Sequence, residues 1–261
     1  MSPKIILLVV DMQYDFCSPD GSLYVKGSEK DIVRTGKFIS KNQDFIGQII
    51  LTQDTHNVID ISHPVFWEDK HGRPPDPFTE ISLKKVLGGI WRPRFHKDKA
   101  VDYIRKLENQ GEFPHTIWPE HCILGTRGGA IVDEIMDPVR EWSRKGNFYE
   151  VVIKGTNPLT EHFGALKANV PLPGHPETHL NTALVDKLMH ADIIYIAGEA
   201  KTHCVANTIK QMIHLSGVAK KLRIIEDCMS DIPGFEKLSV PIYEKALHEG
   251  AKLALSTQAV Q

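Results

Sequence analysis

Short apolar runs and amphipathic stretches alternate along the chain. The run at 5–10 (IILLVV) is apolar at every position and stops at Asp11. A run of this length without period-two alternation predicts a strand buried on both faces, as in the middle of a parallel sheet. Runs at 45–51, 150–153, 193–197, 222–225 and 251–255 predict further strands. Helices are expected over 27–41, 97–109, 128–145, 160–168, 182–190 and 241–249, with Pro138 kinking or splitting the third. Another begins near Cys204 and places Val205, Ile209, Met212 and Ile213 on one face. The segment 57–96, rich in Pro, Gly, His and charge, reads as a long active-site loop, and 171–178 as a turn-rich insertion. Strands alternating with helices argue for an α/β fold with a parallel sheet covered on both faces. Ligands in such folds bind beyond the carboxyl ends of the strands.

Composition narrows the picture by exclusion. An alternating chain of 261 residues is expected to form one domain, 1–261, with a core of useful size. A net charge of -2, with no basic stripe interleaved with aromatics, gives no case for nucleic acid or a membrane surface as partner. The apolar run at 5–10 is too short for a signal-peptide core, and no run approaches a membrane span. The four cysteines are widely spaced without a C-x-x-C pair, which suits a reducing compartment better than a disulfide framework. Cytoplasmic residence is the resulting expectation.

The chemistry gathers around 193–213 (IIYIAGEAKTHCVANTIKQMI), where a strand, a tight turn, Cys204 and a helix follow one another. A thiol at a helix N-terminus meets unpaired N–H groups and the favourable end of the macrodipole. An isolated cysteine is more often simply buried core, so Cys204 needs partners. Asp11, Asp54, His56 and Lys154 are all expected just past strand ends, at the same rim. Singly, Asp11 reads as a turn cap and Lys154 as a solvated surface lysine. Together, Lys154 would stabilise a thiolate, Asp11 would carry a proton from thiol to leaving amine, and the Cys204 N–H with one from the preceding turn would hold an oxyanion. His203, adjacent in sequence, faces elsewhere at a helix start and reads as a capping or packing residue. Cys17, Cys122 and Cys228 read as structural. Asp54-x-His56 with His63, and His121 as a further candidate, offer ligands suited to zinc, iron or manganese. Among 13 histidines such a pairing also arises by chance, and His71, His96 and His115 are weaker alternatives.

The segments DMQYDF (11–16), TQDTH (52–56), WPEHCILGTRG (118–128), KG (154–155) and GEAKTHCV (198–205), in this order, resemble the isochorismatase-like cysteine hydrolases and, within them, the nicotinamidase branch. The resemblance implies a three-layer α/β/α fold with a six-stranded, mostly parallel sheet and a triad of Asp11, Lys154 and Cys204. It implies one divalent ion, zinc or else iron or manganese, on Asp54, His56, His63 and His121, bound to a pyridine nitrogen. It further implies a ring held between Phe16 and Trp118, a cis peptide at Glu199–Ala200, and an oxyanion hole of the Ala200 and Cys204 N–H groups. Phe16 and Trp118 could equally be core aromatics. The insertion at about 57–116 is longer than in compact nicotinamidases, and its part from 65 to 116 could serve as a lid or as the contact of a homo-oligomer. The segment after Lys154 departs from the family's aromatic-rich pattern; His162 and Phe163 could line the pocket.

The activity implied is hydrolysis of nicotinamide, a small-molecule amide, to nicotinate and ammonia through a cysteine thioester. Its nearest rival is a related cysteine amidohydrolase acting on another small amide or an N-carbamoyl compound, usually without a metal. An isochorismatase proper generally lacks the cysteine, and a non-catalytic binding protein would not need the triad.

Overall fold

The computed structural model describes residues 3–258 and Val260. Its main sheet has six strands: β1 (Ile5–Val10), β2 (Gln48–Asp54), β5 (Glu150–Lys154), β6 (Ile193–Gly198), β7 (Leu222–Ile225) and β8 (Lys252–Ala254). Two short strands, β3 (Trp67–Glu68) and β4 (Arg92–Pro93), pair antiparallel outside it. The order across the main sheet is β5-β2-β1-β6-β7-β8, and every pairing is parallel. Every residue of β1 is buried, as its uniform apolarity requires of a strand flanked on both edges and both faces.

The helices are α1 (Tyr14–Cys17), α2 (Ser28–Lys41), α3 (Leu83–Leu87), α4 (Lys97–Asn109), α5 (Asp133–Arg144), α6 (Thr182–Met189), α7 (Ala206–Ile213) and α8 (Val240–His248). Helix α2 packs on α5, and α7 on α8. From β1 the chain builds outward to β2 and β5; after β6 it builds the other way to β7 and β8. Right-handed crossovers in opposite directions put the two helix pairs on opposite faces. The reversal makes the β1/β6 boundary a topological switch point, where an open parallel sheet leaves a crevice at its carboxyl edge. Among the described residues no helix is long and apolar enough to cross a membrane.

Several expectations shift. The second strand lies over Gln48–Asp54, and Phe45 is exposed in the preceding turn. The helix expected from 128 begins at Asp133, after a separate 3-10 turn Arg127–Gly129, and Pro138 lies within it. No helix forms over 160–168. The backbone N–H groups there are taken by side chains: Phe163 by Asn169 Oδ1, Ala165 by Thr208 Oγ1, and Leu166 and Lys167 by Gln211 Oε1. Tertiary acceptors thus replace the i−4 carbonyls a helix would use. Nor is 57–96 a structureless loop. It holds α3 and the β3–β4 pair, and Ile61, Phe66, Trp67 and Ile81 join Tyr103, Ile104 and Ile117 in a second apolar cluster. Trp67 Nε1 donates to the Ile61 carbonyl at 2.7 Å, tying this cluster to the segment that leaves β2.

Candidate active site

Two glycines allow the rim to close. Gly198, at the end of β6, has φ +139°, and a Cβ there would lie 2.1 Å from the carbonyl oxygen of Val10. Only glycine lets β6 approach β1 this closely at the switch point. Gly155, with φ +76°, follows Lys154; a Cβ there would stand 2.7 Å from Asp54 Oδ1. The KG pair is thereby explained: the lysine reaches the site, and the glycine lets its backbone pass the Asp54 carboxylate.

Asp11, Lys154 and Cys204 meet. Lys154 Nζ lies 2.8 Å from Asp11 Oδ2, 3.0 Å from Asp54 Oδ1 and 3.7 Å from Cys204 Sγ. All four side chains are buried. Burial pulls the Lys154 ammonium down, but Asp11 and Asp54 outweigh it and hold the group well above the ordinary lysine value. Burial pushes Asp11 up against the pull of Lys154. Burial also pushes the Cys204 thiol well up; Lys154 pulls it down, and Asp11 and Asp54 push it up again. The ammonium also faces two carboxylates, which offset its pull on the sulfur, so the balance of burial and charge runs against the expected thiolate unless a further cation joins the group.

Cys204 sits in a π-helical turn, Lys201–Val205, that runs into α7. The Val205 and His203 N–H groups both donate to the Ala200 carbonyl, at 3.2 and 3.0 Å, and Thr208 Oγ1 donates to the Cys204 carbonyl at 2.7 Å. The Glu199–Ala200 peptide is cis, as the resemblance implies. His203 packs rather than reacts: its ring lies 4.9 Å from Trp118, 5.1 Å from Phe235 and 5.4 Å from Phe163, and burial lowers it to about 3.

A second group adjoins the first. One ligand atom each from Asp54, His56 and His121 lies within 4.8 Å of the others, with all three residues buried. His121 arrives from far along the chain because 122–124 pairs with His56: the His56 N–H donates to the Cys122 carbonyl at 3.1 Å and the Leu124 N–H to the His56 carbonyl at 3.0 Å. His63 stands beside this trio, its ring 5.2 Å from His56 and 5.4 Å from His121.

The donor chemistry fits a divalent cation. His121 uses Nδ1 on the Pro119 carbonyl at 2.9 Å, and His63 uses Nδ1 on the Val58 carbonyl at 3.3 Å. Each then keeps Nε2 as the free lone pair. The His63 Nε2 is buried with no hydrogen-bond partner among the described residues. Burial, then the neighbouring His56, lowers both rings, which favours the neutral form that ligates. The weaker candidates lie elsewhere: His71 and His96 are exposed, and His115, lowered to about 4 by burial, donates to the Ile61 carbonyl in the second cluster.

Phe16 lies edge-on to His121 at 5.5 Å, and Trp118 perpendicular to His203. Both are buried at the margins of the site, with Trp118 Nε1 unpartnered among the described residues. His162 and Phe163 are also buried there; burial, then Lys154, lowers His162 to about 3.

Residues not singled out from the sequence carry much of this geometry. Gln13 clamps the Asp54 backbone from both sides, Nε2 donating to its carbonyl at 2.8 Å and Oε1 accepting its N–H at 2.7 Å. Asp15 Oδ2 accepts the Cys122 N–H at 2.7 Å. Thr52 Oγ1 accepts the Asp11 N–H at 3.0 Å and donates back to Asp11 Oδ1. The polar positions of DMQYDF, next to a fully buried strand, were the available signal: they had to find partners inside.

No family model matches the chain. It is 29% identical over 202 residues to the nicotinamidase of Saccharomyces cerevisiae, covering 77% of this chain and 78% of that protein. It superposes on the crystal structure of the yeast nicotinamidase bound to the inhibitor nicotinaldehyde with a TM-score of 0.66, at 23% identity, over 96% of this chain and 99% of that one. It also superposes on the pyrazinamidase of Pyrococcus horikoshii in complex with zinc, with a TM-score of 0.57 at 19% identity, over 97% and 99%.

Proposed function

We infer that this chain, a member of the isochorismatase-like hydrolases by its fold and its similarity to nicotinamidases, hydrolyses nicotinamide to nicotinate and ammonia. The observation that carries the reading is the contact of Lys154 with Asp11, Asp54 and Cys204, which joins a nucleophile, a proton carrier and a metal-ligand carboxylate in one buried group. The reading takes 1–261 as one hydrolase domain with an insertion at 57–116. Four buried, unpaired cysteines agree with the reducing, cytoplasmic setting expected for it.

In this mechanism Asp11 accepts the Cys204 proton as sulfur attacks the carboxamide carbon. Lys154 stays charged and offsets the charge developing between them. The Ala200 and Cys204 N–H groups receive the oxyanion. Asp11 then returns the proton to the departing ammonia, leaving a thioester on Cys204. In the second half Asp11 takes a proton from water as it attacks the thioester, and the sulfur leaves to regain a proton. Phe16 and Trp118 would confine the flat ring, which a pyridine amide presents and an open-chain amide does not. Asp54, His56 and His121, with His63 beside them, would hold a divalent ion, zinc or else iron or manganese. When bound, the ion supplies a Lewis-acid contact for the pyridine nitrogen.

An ammonia-release screen over nicotinamide, pyrazinamide, an open-chain amide and an N-carbamoyl compound, on protein of measured metal content, tests the reading. The pyridine and pyrazine amides are expected to lead. Preference for the N-carbamoyl or open-chain compound, in metal-free protein, would transfer the chain to the related amidohydrolases.

A further inference from the structure

The three histidines beside Asp54 are not held alike. His63 and His121 each turn Nδ1 to a backbone carbonyl, of Val58 and Pro119, which are neutral acceptors. His56 instead has a carboxylate beside Nδ1: Asp60 Oδ2 lies 3.1 Å away, at ion-pair distance though outside hydrogen-bond geometry, while Nε2 faces Asp54 Oδ2 at 3.2 Å. Asp60 is buried, and its other oxygen is committed, accepting the Ser62 N–H at 3.0 Å and the Ser62 hydroxyl at 2.8 Å. No lysine or arginine is paired with Asp60 among the described residues, so the charge of this buried carboxylate is directed to His56. A buried carboxylate without a cationic partner is costly, and its retention beside one ring of a histidine cluster points to a task there.

We propose that Asp60 is the positioning residue of the metal site: it holds the His56 ring with Nε2 toward Asp54 and makes His56 the strongest histidine donor of the set. The physical reason is the acceptor. A carboxylate on Nδ1–H fixes the tautomer, locks the ring rotation and raises the basicity of the opposite nitrogen more than a backbone carbonyl does. Ser62 in turn orients Asp60, so the order of support runs Ser62, Asp60, His56, ion. The inference rests on the metal reading of the cluster given above.

Zn²⁺ affinity, measured by chelator competition on metal-stripped protein, and the visible absorption spectrum of the Co²⁺-loaded protein together provide the test. Wild type, Asp60→Asn, Asp60→Ala and Ser62→Ala are compared. Asp60→Ala is expected to weaken Zn²⁺ binding by about 10–100-fold and to alter the Co²⁺ spectrum. Asp60→Asn, which still accepts a hydrogen bond but carries no charge, should fall between it and wild type, and Ser62→Ala should shift binding less in the same direction. Asp60→Ala protein that binds Zn²⁺ within twofold of wild type, with an unchanged Co²⁺ spectrum, would overturn the role of Asp60 while leaving the metal site standing. Wild type that takes up neither ion would overturn the metal reading and this inference together. Should Asp60→Ala not fold, Asp60→Asn decides by the same two criteria.

Discussion

The Nζ of Lys154 lies 3.0 Å from Oδ1 of Asp54, and the other oxygen of that carboxylate faces His56. The nucleophile's ion pair and the histidine cluster therefore share one charge. Asp54 raises the Cys204 thiol, so a cation seated on Asp54 would offset part of that effect. Removing the ion should slow alkylation of Cys204 by iodoacetamide near neutral pH and move its pH profile upward; restoring a divalent ion should reverse both. A profile indifferent to chelation would separate the two groups.

Replacing Cys204 by alanine removes the sulfur proposed to form the thioester. Ammonia release should fall by at least about 10³-fold, with the metal content of the protein unchanged because the ion is assigned to the Asp54, His56 and His121 group and not to the neighbouring Asp11, Asp54 and Cys204 group. Turnover at the wild-type rate would exclude covalent catalysis by this sulfur.

Lys154→Met should damage both activity and folding. It leaves Asp11 and Asp54 facing one another without their cation in a buried site. Breaking a buried pair on one side costs about 3–5 kcal/mol. Urea unfolding measures it, and a loss below about 1 kcal/mol would mean that water or an ion replaces the ammonium. Cys204→Ala, which leaves the ion pairs intact, serves as the comparison.

Glu161 gives a pH signature. Its carboxyl is buried with Oε1 unpartnered among the described residues, and burial raises it to about 8, although His56 pulls the other way. Its folded value exceeds its unfolded one, so its contribution is complete below about 4.5 and is lost as pH rises through about 8. Metal-stripped wild type should lose stability across that window, by at most about 1.4 kcal/mol per pH unit from this group. Glu161→Gln should flatten the slope. Parallel stability curves for the two proteins from pH 5 to pH 8 would refute the assignment.

The sequence pattern sufficed for much of this, and particular residues show why. An uninterrupted apolar run such as 5–10 can satisfy its surroundings only as an inner strand, so the place of β1 and of Asp11 at its end followed from local composition. Lys97–Asn109 and Leu222–Ile225 were legible for the same reason: periodicity is a local property. The stretch 160–168 was not, because Thr208, Asn169 and Gln211 took its N–H groups from a distance. Nor was the second apolar cluster, whose members are scattered from Ile61 to Val170.

By itself the sequence determined the inner strands, the residues that end them and the chemical types available at the rim, since each depends on neighbours a few positions away. Tertiary structure alone decided that one lysine serves two carboxylates, that His121 reaches His56, that Gln13 and Asp15 fasten these pieces, and that burial pushes the sulfur's proton affinity up. Those outcomes are set by distance and burial among residues far apart in the chain, and electrostatic energy in a buried site depends on both.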